Sequence, residues 1–192
     1  MMRLAALLLA GLVVAGAAAE DYGVYNRVTR YDPYFRKYTK RFFGPNFDWR
    51  FFKAQAIAES RLEADARSGV GAVGIMQIMP ATFREIVSKN PTIRGGRQHP
   101  RWNIAAGIYY NRQLWRFWKA ERPFDDRLKF TFGSYNAGKG NILKAQRVAR
   151  RQAVNPNLWP PVARALPRVT GKRSHETLGY IEKIDRIKGA LR

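Results

Sequence analysis

The chain has 192 residues, contains no cysteine and carries a formal net charge of +21. The absence of cysteine excludes a disulfide framework and a lipid attached to an N-terminal cysteine. The charge predicts an anionic partner, although a basic surface that only keeps the protein in solution is an equal alternative.

Residues 1–19 have the pattern of a secretory signal peptide. A cationic start over residues 1–3 precedes an apolar run over residues 4–15, and three alanines at 17–19 provide the small residues that signal peptidase recognises. The apolar run is shorter than the roughly 20 residues that span a bilayer, so an uncleaved anchor is the less favoured alternative. We therefore predict an exported protein of the periplasm or cell envelope, either soluble or peripherally attached, and not a lipoprotein. Export argues against nucleic acid as the partner and favours anionic envelope polymers.

Residues 20–46 are rich in aromatic and basic side chains. The aromatic residues are Tyr22, Tyr25, Tyr31, Tyr34, Phe35, Tyr38, Phe42 and Phe43. So many rings are atypical of a disordered linker, and we expect the segment to pack against the domain that follows. Contact with a wall polymer is the alternative use of the same rings.

From residue 47 onward the spacing of apolar residues is mostly helical. Asp48 is placed to cap a first helix that runs to about Ala64, and Ser174 is placed to cap the last helix. Further helices are predicted over residues 80–89, 102–120, 125–135 and 140–153. Between them we expect a loop or short hairpin over residues 68–79, loops over 90–101 and 167–173, and a proline-broken turn over 155–161. The sequence thus predicts a single, mostly α domain with a small β or irregular element after its first helix.

Glu59 is the strongest candidate for a catalytic acid. It lies on the first predicted helix among alanines and Ile57. Burial there would disfavour the carboxylate and raise the pKa of Glu59 towards the range in which an acid both gives and takes a proton. The alternative is a surface glutamate on an amphipathic helix. Glu63 lies four residues on, on the same predicted helix face, and its place near the helix end suits a solvated carboxylate.

Residues 68–79 place three glycines among apolar residues. Glycine lets the backbone approach a ligand closely. Gln77 is flanked by Met76 and Ile78, and a buried amide needs hydrogen-bond partners, which a sugar acetamido or hydroxyl group would supply. The alternative is a tight turn that only packs under the preceding helix.

Four sequence blocks, taken in order, resemble the soluble lytic transglycosylase family, whose domain is lysozyme-like. The blocks are residues 58–60 with Ser68 and residues 71–82 (GAVGIMQIMPAT), residues 100–110 (PRWNIAAGIYY), residues 134–138 (SYNAG) and residues 176–181 (ETLGYI). The resemblance runs from about Phe47 to Ile187. The chain departs from the family pattern at Ala64 and Asp65, where Asn-Pro is frequent, and at Ile75, where leucine is usual.

The resemblance implies a role for each matching residue. Glu59 matches the family's single catalytic acid/base, and Tyr135 matches a tyrosine that points at the reacting sugar. The other residues predicted to bind the sugar are Ser60, Ser68, Gln77, Met79, Asn136, Glu176 and Tyr180. The implied fold is mostly α, of the α+β lysozyme-like class. The predicted organisation is a signal peptide over residues 1–19, an aromatic and basic segment over 20–46 and a catalytic domain over 47–192.

The resemblance also implies a reaction. A lytic transglycosylase is a lyase that cleaves the β-1,4 bond between N-acetylmuramic acid and N-acetylglucosamine in peptidoglycan and leaves a 1,6-anhydro sugar. Most glycosidases need two carboxylates, and no second catalytic carboxylate is evident in the sequence. The alternatives are a lysozyme-like muramidase, which uses water, and a non-enzymatic wall-binding or assembly protein.

Neither a cofactor nor a metal ion is expected. The only histidines are His99 and His175, which lack ligand-like spacing, and cysteine is absent. We expect the protein to act as a monomer on peptidoglycan glycan strands.

Overall fold

The computed structural model describes residues 20–192, so the predicted signal peptide lies outside the described residues. Within this range the chain forms a short 3₁₀ helix and nine α-helices. Their bounds are Tyr22–Arg27 for the 3₁₀ helix, then Asp32–Phe43 (α1), Arg50–Ser60 (α2), Pro80–Lys89 (α3), Pro100–Phe117 (α4), Phe124–Ala137 (α5), Lys139–Arg151 (α6), Trp159–Ala165 (α7), Pro167–Thr170 (α8) and Arg173–Ala190 (α9). The predicted mostly α architecture is confirmed.

The small β element also occurs where the sequence predicts it. Two isolated antiparallel bridges join Val73 to Arg67 and to Ile78, between α2 and α3. The rest of this connection consists of turns. In residues 20–192, no helix combines the length and the apolar character that crossing a membrane requires.

The helices belong to two compact units. The first unit contains residues 20–109 and Ile184–Arg192, and the second unit contains Tyr110–Lys183. The two boundaries fall within α4 and α9.

The aromatic segment over residues 20–46 is part of the first unit. Phe35 and Tyr38 of α1 are buried. Lys53 of α2 is also buried, and its ammonium group lies 2.8 Å from the Asp32 carboxylate and donates a hydrogen bond to the Val28 carbonyl at 2.9 Å. A buried charge requires such pairing, so this contact fixes the segment against α2. The predicted packing of the segment is confirmed.

The start and end of the described chain meet in the first unit. The Asn26 side-chain amide donates to the carbonyl of Ala190 and accepts from the backbone N–H of Arg192, both at 2.9 Å. Asp48 accepts a hydrogen bond from the backbone N–H of Arg50, the first residue of α2, while Trp49 and not Asp48 immediately precedes the helix. Burial alone would raise the pKa of Asp48, but hydrogen bonds from Arg50 and Lys188 outweigh burial and lower it to about 2.

The second unit has an aromatic core. Phe130 and Phe132 of α5 are buried, and the Trp118 indole N–H donates to the Ser134 hydroxyl at 2.9 Å. Gly133 allows Trp159 of α7 to lie directly on α5, because a Cβ atom at Gly133 would be 2.8 Å from the indole ring. Helix α6 packs against α5, α7 and α8.

Four local predictions are wrong. Helix α2 ends at Ser60 and not near Ala64, because Arg61 and Leu62 adopt left-handed backbone angles, with φ of 55° and 65°. Residues 155–161 are not only a turn, since α7 begins at Trp159 and its two prolines occupy the first helical turn, where a missing N–H costs nothing. Likewise, α8 lies within the predicted 167–173 loop. Ser174 does not cap α9, because its hydroxyl donates to the Gly171 carbonyl.

Candidate active site

Glu59 lies in the last turn of α2 and is half-buried. The helix residues before it, from Phe52 to Ile57, are all buried, so α2 forms the centre of the first unit. Glu63, the rival acid, lies beyond the end of α2 and is exposed. The prediction that both carboxylates share one helix face is therefore wrong, and of the two acids Glu59 is the one that lies on the helix and is half-buried.

The connection that follows α2 is tied to it beside Glu59. The hydroxyl of Ser60 donates to the carbonyl of Ile75 at 2.8 Å. We call residues 68–79 the glycine loop. Ser68 and Gln77 stabilise the loop from within: the Ser68 hydroxyl accepts from the Ala72 N–H at 3.0 Å, and the Gln77 amide donates to the carbonyls of Ala66 and Gly74.

Gln77 is buried, as the sequence predicts, with 5% of its surface exposed. Its side-chain N–H groups nevertheless donate to backbone carbonyls, that of Ala66 just before the loop and that of Gly74 within it. Its backbone has a φ of 44°, a left-handed conformation that is uncommon outside glycine. Met79, the last residue of the loop, is half-buried and precedes the first turn of α3. The glycine loop is thus a strained, internally hydrogen-bonded turn.

Asn103 of α4 holds the glycine loop from the other side. Its side-chain carbonyl accepts from the Met76 N–H at 2.7 Å, and its amide donates to the carbonyls of Val73 at 2.9 Å and Arg97 at 2.8 Å. The residue is fully buried. Gly74 leaves the space for it, because a Cβ atom there would lie 2.6 Å from the Asn103 amide nitrogen.

Arg97 adds a charge to the same support. One guanidinium nitrogen donates to the carbonyls of Gly71 at 2.8 Å and Ile78 at 3.0 Å. Arg97 thereby joins two separate parts of the glycine loop. Burial lowers the pKa of Arg97, and the neighbouring cations Arg67 and Arg84 lower it further. Neither Asn103 nor Arg97 is among the functional residues predicted from the sequence. The signal for Asn103 was a polar residue inside an apolar helical stretch, which must find partners when buried.

The other predicted residues lie in the second unit. Tyr135 and Asn136 occupy the last turn of α5, and the rings of Tyr110 and Tyr135 are 5.3 Å apart. Glu176 and Tyr180 are one turn apart on α9 and are both half-buried. Asn136 and Glu176 line one small pocket, together with Ala137, Asn141, Thr170, Arg173 and Thr177.

Glu176 is the acid of this pocket. Burial raises the pKa of Glu176, while a hydrogen bond from Asn136 and the charge of Arg173 oppose the rise. Thr177 orients the side-chain amide of Asn136, because the Thr177 hydroxyl donates to the amide oxygen at 2.8 Å. Asn136 is therefore oriented towards Glu176 by Thr177, which is not among the predicted sugar-binding residues.

A second pocket lies in the first unit and includes one residue of the glycine loop. Its lining residues are Ala64, Asp65, Ala66, Arg67, Val73 and Gln98. None of the predicted site residues lines it. Among the described residues, no three His, Cys, Asp or Glu side chains are grouped so as to hold a metal ion.

Comparison with known proteins identifies a family. The model of the transglycosylase SLT domain matches residues 34–158. The match begins within α1 and includes Glu59, the glycine loop, Tyr135 and Asn136.

Two relatives illustrate the similarity over most of this chain. One is the membrane-bound lytic murein transglycosylase F of Desulfosudis oleivorans, which is 31% identical over 173 residues. The other is the protein of the same name from Vibrio vulnificus, which is 28% identical over 172 residues. Both alignments cover 84% of this chain but only 36% and 30% of the relatives. The chain therefore spans about a third of the length of the curated relatives that it matches.

Solved structures share the fold. The 70 kDa soluble lytic transglycosylase SLT70 from Escherichia coli matches with a TM-score of 0.61 and 22% identity, over 88% of this chain and 27% of that one. An inactive mutant of the lytic transglycosylase Slt from Pseudomonas aeruginosa matches with a TM-score of 0.62 and 20% identity, over 85% of this chain and 25% of that one. These similarities confirm the predicted lysozyme-like fold class.

Proposed function

We propose that this chain, which belongs to the transglycosylase SLT domain family, cleaves the glycan strands of peptidoglycan as a lytic transglycosylase. The observation that carries the proposal is the position of Glu59. It is a half-buried carboxyl group at the end of the central helix of the first unit, next to a loop that is fixed on both sides.

The proposed role requires that Glu59 start in its protonated form. The backbone carbonyl groups of α2 point towards the C-terminal end of the helix, where Glu59 lies. Their negative partial charge favours a neutral carboxyl group over a carboxylate. Partial burial of the group acts in the same direction. A group held in this way can donate a proton to a leaving oxygen and take one back later in the same turnover.

The reaction then needs one carboxylate. Glu59 protonates the oxygen between N-acetylmuramic acid and N-acetylglucosamine, and the bond from that oxygen to C1 of the muramic acid breaks. The acetamido group of the same sugar stabilises the positive charge at C1. The Glu59 carboxylate next takes the proton of the sugar's own 6-hydroxyl, whose oxygen bonds to C1. The product is 1,6-anhydro-N-acetylmuramic acid, and no water is consumed.

The remaining residues are proposed to bind sugars. Tyr135, Asn136, Glu176 and Tyr180 present two aromatic rings, an amide and a carboxyl group, which suit the faces and hydroxyl groups of a glycan. In the first unit, the polar atoms of Ser60, Ser68 and Gln77 are engaged with the backbone. We propose that these three residues shape the backbone that meets the sugar, and that Met79 contributes an apolar surface.

The location follows from the same substrate. Peptidoglycan lies outside the cytoplasmic membrane, so the chain must be exported, which residues 1–19 would achieve as a signal peptide. We propose that the catalytic part begins after this peptide and that the aromatic segment over residues 20–46 belongs to it structurally. The inclusion of residues 34–46 in the family match supports this organisation.

A digestion of dye-labelled peptidoglycan sacculi tests the proposal against a binding or assembly function. We expect the purified protein to release soluble labelled fragments in proportion to time and enzyme concentration, and heat-unfolded protein to release none. A correctly folded protein that sediments with the sacculi and releases no label would contradict the enzymatic proposal.

A further inference from the structure

The charge of this protein is distributed unevenly along the chain. Residues 127–175 contain eleven Lys and Arg and no Asp or Glu, whereas all fourteen acidic residues lie in the remaining sequence. The nearest acids are Asp125 and Asp126 before this stretch and Glu176 after it. A run of this kind attracts an anionic surface strongly, because it contains no acidic residue that would neutralise the cations.

Helix α6 collects many of these cations on one side. Its five basic residues, Lys139, Lys144, Arg147, Arg150 and Arg151, are all exposed. At about 100° per residue, they fall within an arc of about 140°. The buried residues Ile142, Ala145 and Ala149 occupy the opposite side. We call the five basic side chains the cationic face.

An exposed aromatic side chain lies beside the cationic face. Among the described residues, four large apolar side chains are exposed, and three of them, Phe117, Phe124 and Val154, belong to the second unit. Phe117 is 41% exposed, and the Lys139 ammonium lies 5.2 Å from the centre of its ring. Val154 is 36% exposed and follows the end of α6 by three residues.

We propose that the cationic face of α6 and the exposed Phe117 beside it dock the protein on an anionic phospholipid surface. The cations would pair with the lipid phosphates, and the ring would enter the interfacial layer, where aromatic residues are favoured. A dissolved polyanion would bind through the cations alone, and its binding would not require an exposed phenylalanine next to Lys139. The combination of a basic helix face and an apolar side chain is typical of peripheral membrane attachment.

This attachment is separate from the proposed chemistry. It involves neither Glu59 nor the pocket at Glu176, so a variant that loses it should still degrade dissolved glycan fragments. Its effect would be to hold the enzyme at a membrane while it acts on the polymer.

Sedimentation with vesicles tests the proposal. We expect the protein to bind vesicles of phosphatidylglycerol mixed with phosphatidylethanolamine, to bind phosphatidylcholine vesicles far less, and to release from the former as salt rises. The triple variant Lys144→Gln, Arg147→Gln, Arg151→Gln should bind the anionic vesicles about 100-fold more weakly, since each cation near such a surface contributes about fivefold.

Matched variants make the result specific. Lys37→Gln, Lys40→Gln, Arg186→Gln removes the same charge from exposed positions elsewhere and should bind nearly as the parent does. Phe117→Ser should weaken vesicle binding by roughly tenfold while leaving the charge unchanged. Retained cleavage of dissolved glycan shows that each variant is folded.

Three outcomes would overturn the proposal. The first is a triple variant that binds anionic vesicles as the parent does, and the second is equal losses in the triple variant and its charge-matched control. The third is a protein that binds sacculi or polyphosphate through the cationic face, with Phe117→Ser unaffected, and ignores vesicles, which would assign the surface to a polymer.

Discussion

Replacing Glu59 with glutamine is expected to reduce peptidoglycan cleavage by about three to four orders of magnitude with no loss of fold. Glutamine has nearly the same shape and keeps a polar group at the end of α2, but it cannot donate or accept the proton that both steps of the reaction require. General acid–base catalysis alone contributes about 10²- to 10⁴-fold, and here one group would perform both roles. Fragment release from labelled sacculi measures the rate, and circular dichroism with a thermal melt checks the fold.

Glu63→Gln is the matched control for this experiment. It makes the same chemical change four residues further on, at an exposed carboxylate beyond the helix end. We expect nearly unchanged activity from it. Should Glu59→Gln remain active while folded, or should Glu63→Gln be the variant that loses activity, the assignment of the acid would be wrong.

Replacing Asn103 with alanine is expected to destabilise the protein by about 3 kcal/mol and to lower activity strongly. The change removes three hydrogen bonds, one from the Met76 N–H and two to the carbonyls of Val73 and Arg97. The Val73 carbonyl keeps the Ile78 N–H as a donor, and the loss of a buried partner costs about 1–3 kcal/mol. Because these bonds hold the glycine loop beside α2, we expect activity to fall at temperatures where the protein is still folded. Urea unfolding measures the stability, and sacculus digestion measures the activity.

A second variant tests the same support from the opposite side. Gly74→Ala places a methyl group 2.6 Å from the Asn103 amide nitrogen, at a backbone φ of 76° that disfavours alanine. It should resemble Asn103→Ala in both measurements. Asn46→Ala, at an exposed position before α2, serves as the control and should change neither. Full activity in a folded Asn103→Ala protein would show that the loop does not need this support.

The sequence predicts the elements whose signals are local. Helix α3 begins at Pro80 and ends at Lys89 as predicted, because proline favours the first helical turn and the apolar spacing is regular. Helix α5 ends before Gly138, whose φ of 83° uses the freedom of glycine.

The errors in the fold arise where local signals mislead. Nothing at Arg61 and Leu62 marks a left-handed turn, because neither residue favours that conformation. The buried side chain of Leu62, which is 1% exposed, is consistent with tertiary packing holding the turn there. At Trp159–Ala165, two prolines suggested a broken turn, yet their position in the first turn is compatible with a helix.

In the site, too, local features are predictable from the sequence and long-range contacts are not. The half-burial of Glu59 and the burial of Gln77 followed from residue type and neighbours. The partners of Gln77 did not, since the carbonyls of Ala66 and Gly74 meet its amide only through the turn. Asn103 reaches Met76 across 27 residues of chain. Hydrogen bonds of that range depend on the folded backbone, and a single sequence does not reveal them.

The mass of the products tests the central claim most directly. Purified peptidoglycan is digested with the protein, and the released muropeptides are analysed by mass spectrometry before and after borohydride reduction. The mechanism at Glu59 predicts 1,6-anhydro-N-acetylmuramic acid ends, one water lighter than hydrolysis products and resistant to reduction. Reducing N-acetylmuramic acid ends would contradict it, because they would show that water and not the sugar's own 6-hydroxyl attacks C1.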